Sequence, residues 1–187
     1  MASVPLNAEG TKVANAWDPA TDGSCLAYGA AGLMRIPTRL NVTWQDDQTI
    51  KIETDAGQQT RMLRFDAGTP PAQRSLQGYS VAQWETPPAG RGGGAPQAPR
   101  FGNLKVTTTN LTAGWLRKNG VPYSENATVT EYYNRHDEPD GTSWFTVTTV
   151  VDDPRYLNQP FITSSSFKKE TDTAKWNPTP CQTDPPR

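Results

Sequence analysis

The chain has 187 residues, a formal net charge of −1 and a mean hydropathy of −0.70. Its 24 Thr, 17 Pro and 15 Gly make a composition of strands and turns, because β-branched Thr fits a pleated surface. No run approaches the ~18 apolar residues of a membrane span. There is no basic excess for a nucleic-acid backbone, and one His with two Cys is too little for an ordinary zinc site.

Met1 to Pro5 lacks the apolar stretch of a signal peptide. The chain is therefore expected either to stay where it is made or to have lost its export signal. Residues 1–35 read as an irregular N-terminal segment. One short helix is expected over Asn7–Trp17, capped by Asn7 and stopped by Pro19.

From residue 36 the character changes. Leu40, Val42 and Trp44 alternate with polar neighbours, as strands do. Asp46-Asp47 reads as a turn, Thr49–Thr54 as a strand, Asp55-Ala56-Gly57 as a turn and Gln58–Phe65 as a third strand. Gln77–Glu85 reads as a fourth. Pro87 to Pro99 then holds eight Gly or Pro, so a mobile loop is expected over 87–100. Leu104–Thr109 and Leu111–Lys118 are strands five and six. A turn is expected at Asn119-Gly120 and on to Pro122. Tyr123–Arg135 contains a long seventh strand, and Asp140-Gly141 closes a hairpin onto Ser143–Val151. Phe161–Lys169 is the ninth strand, and 170–187 reads as a polar tail.

Nine strands over 36–169, linked mostly by short turns, predict one all-β domain. The expected fold is an antiparallel up-and-down β-barrel of about eight or nine strands, with a β-sandwich as the alternative. Such a barrel holds packed side chains or one small ligand. Cys25 and Cys181 lie in irregular segments near the two ends. A disulfide between them would clasp those ends and imply a secreted or periplasmic location.

Three segments, Thr128–Tyr133, Trp144–Val150 and Phe161–Lys169, resemble the last strands of the lipocalin and fatty-acid-binding superfamily. The resemblance implies a ligand-holding, lipocalin-like barrel. The lipocalin Gly-x-Trp signature is not matched, since Asn15-Ala16 precedes Trp17. Arg35–Leu40, Thr54–Gly57 and Arg117–Asn126 resemble an uncharacterised group of secreted β-rich proteins from soil bacteria. That likeness implies export and carries no activity.

No nucleophile elbow, phosphate loop, dinucleotide fingerprint or zinc-protease motif is present. No cofactor or metal is expected, and the expected partner is a small molecule. His136, the single imidazole, reads as an exposed residue beside Asp137 and Glu138 rather than a base or ligand. In the seventh strand Val129, Glu131, Tyr133 and Arg135 share a face. If that face points inward, Arg61, which shares a face with Leu63 and Phe65, would meet them. The Arg61/Glu131 pair would then hold a polar head group, or simply close one end of the barrel. Glu131 would alternatively act as a proton carrier, with Tyr133 or Tyr123 donating to an oxyanion. Tyr123 is expected at a cavity mouth. The strand tryptophans Trp44, Trp84, Trp115 and Trp144 read mainly as core. The candidate ligand contacts are Arg61, Phe65, Glu131, Tyr133, Arg135 and Trp144. The leading function is binding of a small, partly apolar molecule in the interior. The alternatives are a cofactor-free isomerase, cyclase or lyase, and a structural or envelope interaction module.

Overall fold

The computed structural model of the protein describes residues 4–22, 25–85 and 103–181. The loop expected over 87–100 and residues 182–187 of the expected tail lie outside them.

The first helix, α1 (Ala8–Ala16), starts as its sequence dictates: Asn7 Oδ1 accepts the Gly10 N–H at 2.9 Å. Two helical turns follow, α2 (Pro19–Asp22) and α3 (Ala30–Leu33), with a 3₁₀ turn at Leu26–Tyr28 between them. This corrects the expectation of an irregular segment. Ala30, Ala31, Leu33 and Met34 are all buried. Four-residue turns are too short to display a helical period, so their core residues left no pattern to read.

Ten strands follow. They are β1 (Leu40–Asp46), β2 (Thr49–Thr54), β3 (Thr60–Arg64), β4 (Tyr79–Glu85), β5 (Asn103–Thr109), β6 (Gly114–Arg117), β7 (Val121–Tyr123), β8 (Thr128–Asp137), β9 (Ser143–Asp152) and β10 (Phe161–Lys168). Eight form one sheet in the order β1-β2-β3-β4-β5-β8-β9-β10, and β6 with β7 forms a separate hairpin. The chain is thus mostly β, but the closed barrel and the sandwich are both corrected. The large sheet curls strongly into a half-barrel whose edges, β1 and β10, do not pair. It is also not purely antiparallel. β3 and β4 run parallel through Leu63↔Ser80 and Arg64↔Val81, because residues 65–78 are long enough to carry the chain back before β4 begins. Val121–Tyr123 forms a strand where a turn was expected.

Cross-strand partners share a face, so the register defines layers across the concave side. Ser80, Thr108, Val129, Val151 and Phe161 form one layer; Ala82, Val106, Glu131, Thr149 and Thr163 form the next. Trp84, Leu104, Tyr133, Val147 and Ser165 form a third. The first layer is covered by a plug built from α3 and the β6–β7 hairpin: Ala30, Ala31, Leu116, Val121 and Tyr123 pack with Val129, Val151 and Phe161. A second core cluster, Ile50, Ile52, Leu63, Ala82, Leu104, Val106 and Val147, fills the sheet toward the other end.

The C-terminal segment returns to the β2–β3 turn. Thr179 N–H donates to Asp55 O and Gly57 N–H to Thr179 O, both at 2.9 Å. Cys181 then reaches Cys25, and the two form a disulfide with Cα atoms 5.8 Å apart and a sequence separation of 156. The Asp55 carboxylate organises that turn. It accepts from Arg39 N (2.7 Å), Ala56 N (2.7 Å), Thr38 Oγ1 (2.9 Å) and Arg39 Nη1 (3.1 Å). Burial alone would raise its pKa, but these four donors outweigh burial and hold it below the usual carboxylate value.

Two outcomes are expected. The non-reduced protein should be two hydrogens lighter than the reduced one by intact mass. Cys25→Ser and Cys181→Ser should each cost about 2–5 kcal/mol, and the double variant no more than either. Two free thiols in the non-reduced protein would refute the bridge. Asp55 stabilises the fold while it is ionised. Its contribution is complete above its unfolded-state pKa, about 3.9, and is lost as pH falls through its lower folded-state value. Denaturant unfolding from pH 6 downward should show a loss of stability that Asp55→Asn flattens.

Candidate functional site

β8 presents Val129, Glu131 and Tyr133 to the concave side, the parity its alternation implied. β3 presents Arg61 and Leu63 to the same side. Arg61 crosses the interior and meets Glu131 in a two-pronged pair: Nη1–H donates to Oε1 at 3.0 Å and Nη2–H to Oε2 at 2.6 Å. Nη2 also donates to Thr108 Oγ1 at 3.2 Å, with Ser80 Oγ at 3.5 Å, and the two hydroxyls bond each other at 2.8 Å. Ser80 comes from β4 and Thr108 from β5, so one guanidinium joins side chains of four neighbouring strands.

Arg61 is 1% exposed and Glu131 0%. Burial works against the Arg61 charge, yet the Glu131 carboxylate outweighs it and holds the guanidinium's pKa above its ordinary value. The Tyr133 hydroxyl is buried beside the pair but reaches neither member with good hydrogen-bond geometry. Burial, then the neighbouring carboxylate, push its pKa up, so it stays a neutral phenol.

Tyr123 is fully buried, a correction to its expected place at a cavity mouth. Its hydroxyl sits between Gly29 and Gly114, and a Cβ at either glycine would collide with it. Burial raises its pKa as well. The sequence reading placed it beside a turn, whereas the short strand β7 carries it into the plug.

Arg135 shares the Glu131 parity and pairs in register with Phe145. Its side chain is exposed and paired with Asp137 at 3.4 Å. Trp144 pairs in register with His136 and Lys168, which puts it on the convex face, away from Phe145. There Lys168 Nζ lies 5.6 Å from its ring centre, and its indole N–H donates to Thr142 Oγ1 at 3.0 Å. A shallow surface depression is lined by Trp144, Lys168, Thr142 and the Glu138–Asp140 turn. His136 is partly exposed, with Nε2 3.6 Å from Glu138 Oε1.

The open end of the concave side is aromatic. Phe65 stacks between Trp44 and Trp84, with ring centres 5.6 and 5.8 Å away. Across the trough, Phe145 lies 6.3 Å from Tyr133 and 5.1 Å from Phe167. Trp44 is 58% exposed and Trp84 52%, with Val42 also exposed beside them. This corrects the reading of these two tryptophans as core. Trp84 shares its face with buried Ala82, whereas Trp44 shares one with exposed Val42 on the edge strand β1, which buries none of its residues. Their parity was readable, and the exposure was not, because alternation reports a face and not its far boundary.

Comparison with family models, with curated proteins and with solved structures found no match. The site therefore rests on geometry alone.

Removing one partner of the Arg61–Glu131 pair leaves the other charge buried and uncompensated. Arg61→Met and Glu131→Leu should each destabilise by about 3–5 kcal/mol. The double variant should cost clearly less than the sum of the two, as urea unfolding of all four proteins would read. Additive costs would show that the pair is not coupled.

Proposed function

We propose that this chain is a binding module of an oxidising compartment, secreted or periplasmic. It takes a small, partly apolar molecule against the aromatic end of its concave face. The observation that carries this reading is the Trp44–Phe65–Trp84 stack, a continuous ring surface on the concave side whose two tryptophans stand half in water. Contiguous exposed aromatic surface on a folded domain is costly to leave uncovered and commonly marks a site of contact. The trough beside it is walled by Tyr133, Phe145 and Phe167. Beneath these rings Leu63, Ala82, Leu104 and Val147 are packed together. The ligand in this reading lies along the open end and not in an enclosed cavity.

The Cys25–Cys181 disulfide supports the compartment. The lipocalin likeness of the last strands supports the use of a concave face, by analogy only. No helix among the described residues is long and apolar enough to cross a membrane. The acid/base alternative finds no support in the pair itself, since Arg61 engages both oxygens of Glu131.

Native mass spectrometry of protein purified from its source should show a co-purified small molecule. Anilinonaphthalene sulfonate, as a generic planar probe, should change the intrinsic tryptophan fluorescence saturably. Trp44→Ala together with Trp84→Ala should weaken that binding by at least about fivefold, since two stacking contacts are lost at ~0.5–1.5 kcal/mol each. Melting should move little, because both rings are more than half exposed. Undiminished probe binding by the double variant would overturn the reading.

A further inference from the structure

The large sheet has two free edges, and they differ. β1 pairs only with β2, and β10 only with β9. Native edge strands are commonly blunted by Lys, Pro or inward-pointing charge. β10 is blunted, with Ser164 and Ser166 on its exposed face and Lys168-Lys169 at its end. β1 is not: Leu40 to Gln45 contains no charge and no Pro.

The phase of the β1–β2 ladder says which backbone groups of β1 are free. Asp55 N–H donates to Arg39 O, so Arg39 and Asp55 are a hydrogen-bonded pair. Bonded and non-bonded pairs alternate along an antiparallel ladder. Asn41 and Thr43, opposite Glu53 and Lys51, therefore turn their backbone groups toward β2. Leu40, Val42 and Trp44 turn theirs away, and among the described residues no strand receives them. Val42 and Trp44 also carry the exposed large apolar side chains of this strand. Backbone and side chain are thus left uncovered at the same residues.

A second copy of β1 matches this edge. Turned about a two-fold axis through Thr43, it runs antiparallel and sets Val42 of each copy opposite Trp44 of the other. These are residues with outward backbone groups, so each pair exchanges N–H···O bonds in both directions. Their side chains lie on the concave side, where a β-branched residue beside an aromatic one is a favourable cross-strand pair. Charge favours the same direction. β1 runs into Asp46-Asp47, and parallel pairing would set these carboxylates against their own copies. Antiparallel pairing separates them and brings each toward Arg39 of the other copy. Arg39 gives Nη1 to Asp55, and its side chain remains 50% exposed. The edge of β10 fits β1 less well. Beyond Ile162, its residues of the same phase are Ser164, Ser166 and Lys168, which give Val42 and Trp44 no apolar partner.

We propose that the chain associates as a two-fold dimer through β1, with the sheet continuous from one copy to the next. The two aromatic stacks then meet across the axis. The dimer needs no small molecule, and its test contains none, so it stands or falls apart from the ligand reading.

Sedimentation velocity of the disulfide-intact full chain, from roughly 1 μM to 1 mM, should show a monomer–dimer equilibrium, since one pair of strands makes a small interface. Amide exchange, labelled in dilute and in concentrated protein and read by NMR, gives the residues. The Val42 and Trp44 N–H groups should exchange several-fold more slowly in concentrated protein, whereas Asn41 and Thr43 should be protected in both. Val42→Pro removes a donor that the monomer does not use, and edge strands accept Pro where the N–H faces solvent. It should weaken association by at least roughly tenfold, because the bonds to the second copy's Trp44 are lost. Val42→Lys, which places a charge on the edge, should do the same. Ser164→Pro should leave association unchanged, since Lys169 N–H bonding to Ser143 O puts the Ser164 N–H on the free side of β10. A wild-type monomer at every concentration would overturn the proposal. So would Val42 and Trp44 exchange that ignored concentration, or association undiminished in both Val42 variants. The wild-type measurements decide even if a variant does not fold.

Discussion

The Arg61–Glu131 pair fixes the curvature on which the rest of the molecule depends. β3 and β8 are separated in the sheet by β4 and β5. In a flat sheet they would stand about 14 Å apart, three strand spacings. The two side chains meet over the concave side of that gap, and bond lengths of 2.6 and 3.0 Å leave no slack. A sheet that flattened would pull the charges apart inside an apolar environment. That is among the most unfavourable changes a folded core can undergo. Ser80 and Thr108 extend the constraint to the two strands between, because their hydroxyls share the same guanidinium nitrogen.

This central tie divides the concave side into two unlike halves. Toward the start of β10, helical turns and the β6–β7 hairpin fill the trough with Ala30, Leu116 and Tyr123. Toward the other end, the sheet closes over its own aliphatic residues and finishes in aromatic rings. The halves make different demands on their residues. The plugged half needs small residues where backbone approaches side chain, as at Gly29 and Gly114 around the Tyr123 hydroxyl. The open half needs rings broad enough to cover the core while still facing solvent.

Much of this was legible in the alternation of the strands. Parity grouped Glu131 with Val129 and Tyr133, and Arg61 with Leu63, but it left open whether those faces point inward. Their meeting followed once both faces pointed inward. The Asn7 cap and the pairing of the two cysteines were readable too. Three features were not. Alternation reports which face a residue takes but not the direction of the neighbouring strand, so the parallel β3–β4 contact left no trace. It is equally silent on whether the last strand reaches the first. An open half-barrel and a closed barrel therefore share one pattern. Finally, α3 and β7 bury most of their length within three or four residues, too few to show any period. Tyr123 was misplaced for that reason.

The clasp between Cys25 and Cys181 has a mechanical consequence. Every strand of the sheet lies between these two residues. Tension applied to the chain outside them would pass through the sulfur–sulfur bond and bypass the strand ladders. Once residues 5–7 had come away from Tyr156 to Asn158, pulling would straighten only what lies beyond the bridge, and the hydrogen bonds of the ten described strands would stay unloaded. Under shear the fold would behave as a knot of fixed length. Its resistance would be set by a covalent bond and would last as long as its surroundings kept that bond oxidised.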